Sequence, residues 1–70
     1  MTEEMRFFIY LLEHYAADKG IPADAVLREW DDLQISDRIF DMYEIYHIES
    51  LDNAYADIDR MMDAKRSNTI

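Results

Sequence analysis

The chain has 70 residues, half of them apolar and 13% aromatic, with one glycine, one proline and no cysteine. Sixteen carboxylates face seven Lys/Arg, a formal net charge of -9. That apolar content is too high for a disordered acidic tail, the charge opposes the phosphate contacts of a nucleic-acid binder, and without cysteine there is no disulfide framework, thiolate metal site or thiol nucleophile.

The first segment predicts a long helix over 2–19. Met5, Phe8, Ile9, Leu12, Tyr15 and Ala16 recur at helical spacing, and Phe7, Leu11 and His14 form a second stripe beside them. So wide an apolar arc points to contact on two sides, with other helices or another chain. Glu3 and Glu4 at its start and Lys19 at its end suit the helix dipole, and Gly20 suits the residue just past the C-terminus. Pro22 then opens a short helix over 22–32 with Ala23, Val26, Leu27 and Trp30 inward. Asp31 and Asp32 stand at its C-terminus, where the dipole disfavours negative charge.

Ser36 is a candidate N-cap for a third helix over 36–47, with Ile39, Met42, Tyr43 and Tyr46 inward and Phe40 on a side stripe. Ser50 is the candidate cap of the fourth, over 50–65, whose Leu51, Ala54, Tyr55, Ile58, Met61 and Met62 give the cleanest amphipathic pattern of the chain. The reading is one all-α, four-helix domain over 1–66, with 67–70 a frayed tail. The longest uncharged apolar run, Phe7 to Leu12, is far short of a membrane span and lacks a signal peptide's cleavage region, so a cytoplasmic protein is expected. A chain this short sits near the limit at which apolar burial offsets ordering entropy. Efficient packing, a homodimer or another protein partner would each complete the core.

No set of residues announces catalysis. Ser36 and Ser50 read as caps, and neither histidine has a nucleophile placed beside it, so no catalytic residue and no cofactor are assigned. Glu44 and His47 form Glu-x-x-His, which puts a carboxylate and an imidazole on one helix face, as in carboxylate-bridged dimetal bundles. Only one such motif is present, so a metal site would need Glu13 and a second copy. The plainer reading has His47 capping the third helix. Tyr43, Tyr46 and Tyr55 read as core rings with hydroxyls turned to partners, and Met61 and Met62 as core filling. Glu29-Trp30-Asp31-Asp32 is the candidate partner-binding patch, because a local violation of helix electrostatics beside the sole tryptophan marks function or strain. Phe7 and Leu11, on the second stripe of the first helix, are candidate partner contacts as well.

The pattern Glu13-x-Tyr15-Ala16 with Ile21 opening a short helix, Tyr43-x-x-Tyr46-His47 before the last helix, and Asp57-Ile58-Asp59 within it resembles a family of small bacterial helical domains of unknown function, common in Firmicutes. The resemblance spans Met5 to Met62. Family members commonly have Leu before and Thr after that histidine, where this chain has Tyr46 and Ile48. Members are often encoded near ADP-ribosyltransferase-like toxins, and the resemblance implies an antitoxin-like or accessory role. The expectation is therefore a non-enzymatic, acidic protein-interaction module, with a metal- or ligand-binding homodimer as the alternative.

Overall fold

A computed structural model of the protein describes residues 1–68. Helix α1 spans Glu3–Lys19, α2 Ala23–Asp32, α3 Ser36–Asp41, α4 Tyr43–Tyr46 and α5 Leu51–Ser67, and no strand occurs among the described residues. The all-α reading stands. Ser67 is the last helical residue and Asn68 its C-cap, while Thr69 and Ile70, in the segment read as a frayed tail, lie outside the described residues.

Local chemistry accounts for most boundaries. The Thr2 side chain accepts from the Met5 N–H at 3.1 Å, with Glu3 and Glu4 in the first turn. Ser50 caps α5 in the same way through the Asn53 N–H, and Lys65 and Arg66 occupy its last turn. Helix α1 ends at Gly20, in the left-handed region at φ 69. There the Ile21 N–H reaches back to the Ala16 carbonyl at 3.0 Å and the Gly20 N–H to the Ala17 carbonyl at 3.2 Å, the Schellman arrangement that satisfies terminal carbonyls. Helix α2 ends in the same pattern, Ile35 N–H to Trp30 carbonyl and Gln34 N–H to Asp31 carbonyl, but the left-handed residue is Gln34, at φ 60.

The predicted helix over 36–47 is in fact two helices meeting at Met42. The Met42 N–H bonds the Ile39 carbonyl three residues back at 3.1 Å, tightening the end of α3, and the Met42 carbonyl starts α4 by accepting from Tyr46 at 2.8 Å. No glycine or proline marks the bend. Tertiary packing sets it: Phe40 lies against Phe8 and Tyr43 against Phe7, while Tyr46 turns inward. Ser36 is the first residue of α3 rather than its cap; Ile35 holds that position without a side-chain cap bond.

The core gathers Leu11, Leu12, Tyr15 and Ala16 from α1, Val26 and Trp30 from α2, Ile35, Ile39 and Tyr46 from the middle, and Ala54, Ile58 and Met62 from α5. No charged side chain is buried among the described residues. The accessible surface is 4770 Å², against about 4,600 Å² expected for a folded monomer of 8.4 kDa. One copy therefore has about the surface expected of a folded chain of this size.

Candidate functional site

The patch expected around Trp30 dissolves in the structure. Trp30 is 0% exposed, its ring edge-on to Phe8 at 5.9 Å and to Tyr15 at 5.5 Å, and its indole Nε1 has no hydrogen-bond partner. Leu11 is likewise 0% exposed. Neither side chain offers a surface to a partner, which corrects their assignment as contacts: the inward stripe of α2 points at the α1 core, and Leu11 lies on the same α1 face as Tyr15. Glu29 is tied to α5 through Arg66 at 2.7 Å. Asp31 accepts from the Ser36 hydroxyl at 2.5 Å, spanning the left-handed turn at Gln34. The charge that violates the dipole rule thus serves as a staple across the turn that joins α2 to α3. Asp32 is exposed.

The metal trio is not assembled either. Among the described residues no three His, Cys, Asp or Glu side chains come within reach of one ion, so Glu13, Glu44 and His47 do not form a centre within one chain. The His47 Nδ1–H donates to the Tyr43 carbonyl at 2.6 Å, a second bond to an oxygen that already accepts from the His47 backbone N–H, and the imidazole stacks parallel on the Tyr43 ring at 4.3 Å.

What the structure does assemble is an aromatic–imidazole face across α1 and α4. Phe7, half-buried, is its hub: it meets Tyr43 edge-on at 5.6 Å, Tyr10 at 6.2 Å and His47 at 6.4 Å. One turn along α1, Tyr10 contacts His14 at 4.2 Å. Tyr10 is 47% exposed, and Ile45 and Ile48, flanking Tyr46 and His47 in the chain, are 52% and 78% exposed. The face has a sequence signal, because Phe7, Tyr10 and His14 sit at i, i+3 and i+7 while Tyr43 and His47 sit at i and i+4. The second stripe of α1 carried that signal, with Tyr10 in the place assigned to Leu11. That Tyr43 would meet Phe7 follows only from the bend at Met42.

Two phenols fasten α5 to the rest. The Tyr15 hydroxyl donates to Asp59 at 2.5 Å, and Lys19 pairs with the same carboxylate at 2.8 Å. The Tyr46 hydroxyl donates to Asp57, which Arg60 also approaches at 3.4 Å. Burial, followed by the hydrogen bonds to the aspartates, pushes both phenols well above the ordinary tyrosine value. Burial alone would raise Asp59, but the bonds from Lys19 and Tyr15 outweigh it and hold the carboxyl below its ordinary value. Tyr46 keeps the role read from the sequence, ring in the core and hydroxyl on a partner, whereas for Tyr15 the sequence reading gave only the inward stripe and not the bond to Asp59.

Among the described residues, no serine, lysine or aspartate side chain forms a hydrogen bond or ion pair with either imidazole. No described helix is long and apolar enough to cross a membrane. No curated protein and no solved structure matches the chain. The family of proteins of unknown function DUF3791 matches over residues 6–65, nearly the whole chain and every element of the fold, so the chain belongs to that family.

Proposed function

We propose that this protein is a non-enzymatic interaction module that presents the Phe7–Tyr10–His14–Tyr43–His47 face to a protein partner in the cytoplasm. The observation that carries the reading is the clustering of five rings at the surface of a molecule that otherwise closes its core. Aromatic side chains supply large contact area at low entropic cost and are enriched at the centres of interfaces. Ile45 and Ile48 extend the exposed apolar surface. Within this reading the role is antitoxin-like or accessory and the partner a neighbouring gene product, such as an ADP-ribosyltransferase-like toxin, as the family resemblance implies.

The test is affinity capture from an extract of the cells that make the protein, with three baits. The wild-type chain and an Asp24→Asn/Asp32→Asn variant on α2 are expected to retain the same protein. A Tyr10→Ser/Ile48→Ser variant is expected to lose it. Equal retention by all three baits, or no retention by the wild-type chain, would contradict the assignment.

A further inference from the structure

Tyr43 belongs to two surfaces at once. On one side it meets Phe7 and His47. On the other it lines a cleft of about 380 Å³ between the start of α1 and the α3–α4 corner, together with Phe40, Ile45, Glu4, Asp41 and Glu44. The cleft thus has an aromatic and aliphatic wall and three carboxylates.

Two features separate this cleft from the others. None of its carboxylates makes an ion pair or a hydrogen bond among the described residues, whereas Glu29, Asp31, Asp57 and Asp59 are all engaged. No Lys, Arg or His lines it. Three other surface clefts each hold a base: Arg60 between α4 and α5, Lys19 and Arg66 beside Tyr15, and Arg38 and Lys65 beside Gln34. A fourth, at Asp31, Ser36 and Asp37, has no ring, and its Asp31 is already bonded to Ser36. Uncompensated negative charge next to the half-buried rings of Phe40 and Tyr43 is complementary to a guanidinium, which ion-pairs with carboxylates through its fork and stacks on aromatic faces. A second copy of this chain is a poor fit, because two molecules of net charge -9 repel as they approach.

We infer that this cleft is the docking site for an arginine-bearing segment of the protein partner, which lies across Tyr43 from the cleft into the aromatic–imidazole face. The inference rests on reading that face as the partner surface and adds the chemistry of what it binds. Charge brings the basic segment to the acidic end of the molecule, and the rings select arginine over lysine.

A fluorescent oligo-arginine peptide, titrated by anisotropy at physiological ionic strength, tests it. The comparison is between Asp41→Asn/Glu44→Gln, which neutralises the cleft, and Asp24→Asn/Asp32→Asn, which removes the same charge from α2. All of these side chains are exposed, so thermal melts of both variants are expected to overlay the wild-type melt. The cleft variant is expected to bind roughly tenfold more weakly and the α2 variant within about twofold of the wild type. An oligo-lysine peptide of equal length is expected to bind more weakly than oligo-arginine. Equal weakening by both variants would mean that the peptide reads net charge alone and would overturn the site. Unchanged binding by the cleft variant would overturn it too, as would light scattering showing a dimer that excludes the peptide. Each of these results leaves the aromatic face to be judged by the capture experiment, whose Tyr10→Ser/Ile48→Ser variant leaves the residues of the cleft untouched.

Discussion

Two aromatic regions of this molecule use similar residues to opposite ends. Around Trp30, the rings of Phe8, Tyr15 and Trp30 are packed inside, and most carboxylates nearby are spent within the chain, Asp31 on Ser36, Glu29 on Arg66 and Asp59 on Tyr15 and Lys19, with Asp32 left exposed. Around Phe7, the rings lie at the surface, and the neighbouring Glu4, Asp41 and Glu44 hold no partner among the described residues. An odd local sequence is therefore a weaker sign of a binding surface than unspent chemistry. Asp31 and Asp32 break the rule of helix electrostatics, yet the region they mark is the scaffold. The exposed face breaks no local rule at all.

The largest expected effect lies in the buried region. Trp30→Ala is expected to lower unfolding free energy by about 3–5 kcal/mol, because the surrounding rings cannot collapse into the space. Since the indole N–H already lacks a partner, Trp30→Phe loses no hydrogen bond and is expected to cost less than half as much. Urea denaturation of the two variants measures the difference, and equal losses would contradict the view that ring volume sets the cost.

Next come the phenol–aspartate fasteners. Tyr15→Phe and Tyr46→Phe each remove the phenol donor from a carboxylate that keeps a basic neighbour, Lys19 or Arg60, and are expected to cost about 1–2 kcal/mol. Their pH dependence has a definite sign. Both phenols are held above the ordinary value of 10.0 in the folded chain, so their contribution is full below pH 10 and is lost as pH rises beyond it. Asp59 is held below its ordinary 3.8, so its contribution is present above that pH and is lost as pH falls below it. Melting temperature is therefore expected to drop at both extremes, with the alkaline drop shallower in the two phenylalanine variants.

A smaller effect separates the two left-handed turns. Gln34 occupies a conformation that costs a non-glycine residue about 1 kcal/mol, so Gln34→Gly is expected to stabilise by several tenths of a kcal/mol after the added flexibility of the unfolded chain is counted. At Gly20 a Cβ would meet nothing within 4 Å, so Gly20→Gln is expected to destabilise by about 1 kcal/mol through backbone strain alone. Thermal melts of the pair should move in opposite directions. Least of all should stability respond on the exposed face, where Tyr10→Ser is expected to stay within about 0.5 kcal/mol of the wild type while changing binding most.

Much of the architecture was legible in the residues because it depends on local chemistry. Glu3 and Glu4, Gly20, Ser50 and the basic end of α5 mark helix termini through caps and charges that need no distant partner. The division at Met42 was not legible, since no breaker stands there and the bend depends on Phe40 and Tyr43 finding Phe8 and Phe7, more than thirty residues away in the chain. Ser36 departs from its expected cap role for a related reason: its hydroxyl is drawn back to Asp31 rather than forward to a free N–H. For the candidate site, Phe7 and His47 were in view as separate hints, one in an apolar stripe and one in a possible cap. Only tertiary packing joins them, through Tyr43.

The central claim is that the partner meets the Phe7–Tyr43–His47 face and not the Trp30 corner. Photocrosslinking inside the producing cells tests it most directly, with p-benzoylphenylalanine placed at position 10 in one strain and at position 32 in another, both exposed positions. The account predicts a discrete higher-mass product from position 10 and none from position 32. A product from position 32 with none from position 10 would contradict it.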